Sequence, residues 1–149
     1  MKLRFSICCG TLLIVAVSCS RSLSERSYNE YLNQRMARYC TNDIHAAEES
    51  LYSDLRTLSD WESNNVHGDH FRIDFSGSEA LDHEGLFLIY RKMHETDKMK
   101  KEFELSVRLI NESRRHRGFG PEPPIGDDEF ARHLEIRDRR LNVRWQTNR

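Results

Sequence analysis

The chain has 149 residues, 23 Lys plus Arg against 24 Asp plus Glu, four Cys and 38% apolar residues, enough for one compact domain and hardly more. A formal charge of −1 is far from the basic excess that a nucleic-acid partner or an anionic membrane surface selects. Two Trp, five Tyr and seven Phe make the chain too aromatic to be disordered, yet the core must be small, so a surface for a partner is expected.

Lys2 and Arg4 precede an uncharged run over 5–17 that closes in Ser18, Cys19 and Ser20. Residues 1–18 read as an export signal. A run of about 13 residues is shorter than the roughly 20 that span a bilayer, and Arg21 ends it abruptly; the alternative is a buried core helix. Ala16-Val17-Ser18-Cys19 resembles the lipobox of bacterial lipoproteins, in which small residues precede a Cys that is acylated before the signal is cleaved ahead of it. The resemblance implies lipid attachment at Cys19 and a membrane anchor in a cell envelope. Ser20 then resembles residues that permit sorting to an outer membrane. Ala16 departs from the pattern, which usually has a larger aliphatic there. Ala16 with Ser18 also satisfies the small-x-small rule of ordinary signal peptidase, so simple secretion stays open.

Loss of residues 1–18 leaves 21 basic against 24 acidic groups, a net charge of −3, and removes Cys8 and Cys9. Cys19 and Cys40 remain, too few for a disulfide framework. Cys40 reads as a small, partly buried helix residue. The alternative, a reactive thiol or an intermolecular bridge, lacks an accompanying His or Asn constellation.

After a linker over 19–27, apolar residues recur at Tyr28, Leu32, Met36, Cys40, Ile44, Ala47, Leu51, Leu55 and Leu58. Steps of three and four predict either one long helix or, as favoured here, a break or kink at Thr41-Asn42-Asp43, where Asn42 or Asp43 would cap a second helix. Between Trp61 and Ser78 the period disappears. Phe71, Ile73 and Phe75 alternate with Arg72 and Asp74, but no second strand-like run exists to pair with them, so an extended apolar connector is expected. Ser76 and Glu79 have the spacing of a capping box, with Ser78 as a rival cap.

Residues 79–113 form two amphipathic segments joined by Met93-His94-Glu95-Thr96-Asp97, with Thr96 placed to cap the second. This stretch resembles a tetratricopeptide repeat, a helix-turn-helix unit of about 34 residues. Laid along that pattern, His83 stands at the Trp position, Leu86 matches the Leu, Phe87 replaces the Gly and Tyr90 matches the Tyr. Met99 replaces the first Ala, Phe103 matches the Phe, Ser106 stands for the second small residue and Asn111 replaces the Pro. Phe87 and Met99 should push the two helices apart or demand another crossing. A generic helical hairpin has the same core of Leu86, Ile89, Tyr90, Met93, Met99, Phe103, Val107 and Ile110. One repeat leaves an apolar face uncovered, so flanking helices must cover it.

The helical domain thus runs over 28–113, followed by a Gly/Pro linker over 118–127 in which Gly118-Phe119-Gly120-Pro121-Glu122-Pro123-Pro124 holds the chain extended. A final capping helix and tail over 128–145 start at Asp127 or Asp128 and carry Phe130, Ala131, Leu134 and Leu141, ending in Val143-Arg144-Trp145. The expected architecture is a small all-α domain of about four helices, besides the signal helix.

The chain contains no Gly-rich phosphate loop, GxSxG, HExxH or paired CxxC. His67, Asp69 and His70 are weak metal candidates, lacking a fourth ligand; no cofactor is expected. Asp82-His83-Glu84 point in different directions on a helix and cannot converge on one substrate. Arg114-Arg115-His116-Arg117 suits a helix C-terminus, or else an anionic partner. The expectation is a non-catalytic, exported, lipid-anchored protein that binds a protein or peptide through the hairpin, with a membrane contact through Cys19 and no nucleic acid. The alternative is a soluble secreted eukaryotic factor or precursor, cut at Lys100-Lys101, Arg114-Arg115 or Arg139-Arg140, with a sequon at Asn111-Glu112-Ser113.

Overall fold

Five helices and one two-residue strand pair make up the described chain in the computed structural model, which covers residues 22–40, 43–64, 66–68 and 71–140. The export signal, Cys19, Asp69, His70, Leu141 and the rest of the tail lie outside the described residues. The domain is all-α.

Helix α1 (Glu25–Tyr39) starts earlier than expected, inside the stretch read as a linker. Ser24 explains this: its hydroxyl accepts the Ser27 N–H at 3.2 Å, and Glu25 complements the first turn. Before it, β1 (Ser22–Leu23) pairs in parallel with β2 (His67–Gly68). Of the alternating residues, Phe71 lies in a bend, 72–74 form a connector without regular structure in which Ile73 is buried, and Phe75 already opens the next helix. Helix α2 (Ile44–Ser63) opens on Asp43, whose carboxylate accepts the His45 N–H at 2.9 Å. The first apolar segment is therefore two helices, which brings the count to five.

Helix α3 (Phe75–Lys92) is capped by Asp74, not by Ser76 or Ser78. One Asp74 oxygen accepts the Gly77 N–H at 2.9 Å and the other accepts the Ser113 hydroxyl at 2.6 Å. The two oxygens of one carboxylate serve both donors at once. The turn to α4 (Thr96–His116) puts His94 in the left-handed region at φ 60°, and the Glu95 N–H closes on the Tyr90 carbonyl at 2.9 Å. Thr96 is the first helical residue rather than the cap. The same closure ends α4, where Gly118 takes φ 81° and the Phe119 N–H reaches the Arg114 carbonyl at 2.8 Å. An extended segment then leads to α5 (Asp127–Arg140).

Helix α3 lies at the centre, with ten of its 18 residues buried. Asp74 and His83 meet Ser113 and Glu102 of α4, so α3 and α4 are antiparallel. Arg91 and Phe87 meet Asp128 and Phe130, which makes α5 antiparallel as well. Tyr28 and Arg35 of α1 meet Ser78 and Asp82 in parallel order. Phe87, Phe103 and Phe130 form an aromatic trio with centroids 5.2–6.0 Å apart, joining α3, α4 and α5. Phe87, where a tetratricopeptide repeat has Gly, thus fills a space shared with the last helix.

Close approach comes from Gly85 instead. A Cβ there would lie 2.8 Å from Leu51 Cδ1 and 2.8 Å from Tyr39 Cε2. Gly85→Ala should therefore destabilise by about 1–2 kcal/mol in urea unfolding, because overpacking outweighs the helix-propensity gain of roughly 1 kcal/mol. A more stable variant would show that α1 and α2 can retreat freely.

Candidate functional site

A spacing of four drifts around a helix that repeats every 3.6 residues, and on α1 this drift decides which residues face inward. The buried residues are Arg35 and Tyr39, whereas Met36, expected in the apolar stripe, is 37% exposed. Arg35 turns in because Asp82 of α3 waits for it: Nε donates to Oδ1 at 2.8 Å, and Nη2 donates to the Ser78 carbonyl at 2.8 Å. Both side chains of this ion pair are nearly inaccessible. Beside it, Arg38 Nη2 donates to Asp54 Oδ1 at 2.5 Å and Nε donates to the Ser50 hydroxyl at 3.3 Å.

Asp82, His83 and Glu84 each reach a different helix. Asp82 takes Arg35 of α1, His83 Nδ1 lies 2.5 Å from Glu102 Oε2 of α4, and Glu84 takes Arg137 of α5. Arg137 also donates to Asp138 Oδ1 at 3.2 Å, while Asp138 Oδ2 accepts the Tyr39 hydroxyl at 2.6 Å. The divergence that prevents three neighbours from sharing a substrate lets them tie three helices to one.

Asp54 Oδ2, Asp82 Oδ2 and the Tyr31 hydroxyl are buried with no hydrogen-bond partner among the described residues. Burial pushes the Asp82 carboxyl up to about 7 against the opposing pull of Arg35, and raises Asp54 and Glu84 in the same direction. The folded chain therefore holds protons that the unfolded chain has lost. Their stabilisation is full below the ordinary carboxylate range and disappears as pH rises through about 7. The melting temperature should be higher near pH 5 than near pH 8, and Asp82→Asn should flatten the profile. A rise with pH would contradict the assignment.

Against this ionic floor lies a cavity of about 400 Å³, lined by Arg35, Met36, Tyr39, Leu51, Leu81 and Arg137. Leu81 is 47% exposed at its mouth. Its walls are side-chain hydrocarbon and ring, with the two guanidinium heads turned to their own carboxylates.

The chain matches no family model, no curated protein and no solved structure.

Of the hairpin residues singled out in the sequence, Leu86, Tyr90 and Ser106 are fully buried, and Met99 and Phe103 are partly buried against the same core. They are brought together as packing, with α1, α2 and α5 laid against α3. Tyr90 donates to Glu48 at 2.7 Å and lies 2.7 Å from the Tyr52 hydroxyl. His67 belongs to β2, Asp69 and His70 lie outside the described residues, and no group of three metal-binding side chains occurs among the described residues. Burial raises the Cys40 thiol, which works against thiolate chemistry. Arg114, Arg115 and His116 form the last turn of α4, where Arg114 Nε also donates to the Gly120 carbonyl at 2.8 Å.

The apolar pattern passes over Arg35 and Asp54, and Asp82 stands out in the sequence only as a member of a cluster that cannot converge. A signal was present: Ser78, Asp82, Gly85 and Ile89 share one helical face, so a charged residue stood on the buried side of the most apolar helix.

Proposed function

We propose that this protein is an exported, lipid-anchored, non-catalytic helical protein of a cell envelope, held to the membrane through Cys19 and acting by protein contact. The observation that carries the reading is positional. Helix α1 begins at Glu25, six residues after Cys19. An acyl anchor at Cys19 would place α1 at the membrane surface, with too little intervening chain for a long tether. Partner contact falls to outward side chains such as Tyr52, Phe119 and Ile136, since Leu86, Tyr90 and Ser106 of the hairpin are taken up by the core.

The secreted-precursor reading has less support. All three dibasic pairs lie within α4 and α5, where a protease meets no extended backbone, and the Asn111 side chain accepts the Glu122 N–H at 2.8 Å. Metabolic labelling with a clickable fatty acid in a bacterial host tests the anchor. The wild-type chain should take the label and partition with membranes, and Cys19→Ala should lose both. An unlabelled wild type, or label retained in Cys19→Ala, would contradict it.

A further inference from the structure

We propose that the cavity among α1, α2, α3 and α5 is a binding site for a single uncharged alkyl chain. The site is a consequence of the ionic pairing beside it. Because Arg35 turns inward to Asp82, Met36 next to it is left at the surface, and Leu81, the neighbour of Asp82 on α3, is exposed in the same way. These two side chains, from different helices, stand at the mouth of one cavity whose deeper walls are Leu51 and the Tyr39 ring.

Charge decides the class of ligand. At pH 8, above the value of about 7 to which burial pushes the Asp82 carboxyl, Arg35 and Arg137 bring two positive charges that Asp82, Glu84 and Asp138 match. No surplus positive charge remains for an anionic headgroup, and two guanidinium groups oppose a cationic one. What faces the cavity is Leu methyls, an adaptable Met thioether, a phenol ring and the methylene stems of two arginines, all of which suit hydrocarbon. The volume of about 400 Å³ lies near the lower end for small-ligand sites, which fits one chain rather than a diacyl lipid. The inference holds whether or not Cys19 is acylated.

The test is a titration of the full mature chain at pH 8 with 1-decanol, decanoate and decyltrimethylammonium, followed by calorimetry and native mass spectrometry. Decanol should bind saturably at one site, with both charged probes at least about tenfold weaker, since burying an uncompensated charge is costly. Met36→Glu and Leu81→Glu, at exposed positions, should each weaken decanol about tenfold or more, while Ile136→Glu leaves it unchanged. If Leu81→Glu fails to fold, Met36→Glu decides alone. The proposal is overturned by absence of saturable decanol binding, by equal binding of the charged probes, or by undiminished binding in Met36→Glu. Binding seen only in a Cys19→Ala chain would support the site and make the protein's own acyl chain its occupant.

Discussion

Asp82→Ala is expected to destabilise the protein by about 3–5 kcal/mol, because it leaves the Arg35 guanidinium buried without its counter-charge. Arg35 reaches Asp82 from another helix, and both side chains are almost wholly excluded from solvent. The pair itself is a weak source of net stability, since the desolvation of two charges offsets their attraction. The double variant Arg35→Met with Asp82→Leu should therefore recover most of the loss, and the two single variants should be strongly non-additive. Urea unfolding of the four proteins measures this coupling. A loss below about 1 kcal/mol for Asp82→Ala would mean that Arg35 is free to swing into water, and α1 would not be docked as described.

Phe87→Ala should cost a similar amount, about 3–5 kcal/mol, through loss of a large buried ring and the cavity left behind. Phe87 is 0% exposed and touches Phe103 and Phe130, so its removal loosens α4 and α5 together. Phe103→Ala should cost less, because Phe103 is only partly buried. Equal losses at the two positions would place the aromatic core nearer to α4 than to α3.

The helices were legible because apolar spacing in α2, α3 and α4 tracks the helical period, and because Asp43 and Gly118 are strong local punctuation at the ends of α2 and α4. Helix starts governed by tertiary contact were less legible. Asp74 was preferred as a cap over Ser76 because Ser113, 39 residues later, hydrogen-bonds to it, and no local rule contains that information. The inward face of α1 was misread by one residue for a related reason: a stripe built from apolar residues alone passes over an Arg that is buried by its partner. The strand pair between Ser22–Leu23 and His67–Gly68 involves two residues on each side, too short for alternation to register. The cavity depends on which of Arg35 and Met36 faces in, so it was invisible for as long as that face was assigned by hydropathy.

Helix α3 organises the described residues around itself. It replaces the stacking of neighbouring repeats with four covering helices, and its three consecutive polar residues specify the positions of α1, α4 and α5. A single helical hairpin would need neighbours to bury its faces, and here those neighbours come from the same chain.

The proposed role rests on what happens at Cys19, and the intact mass of the mature protein from its native membrane fraction is the most direct test. The account predicts a chain that starts at Cys19 and carries a diacyl or triacyl addition. A chain starting at Cys19 or further along with a free amine and no lipid would contradict it, and would make the protein a soluble secreted one.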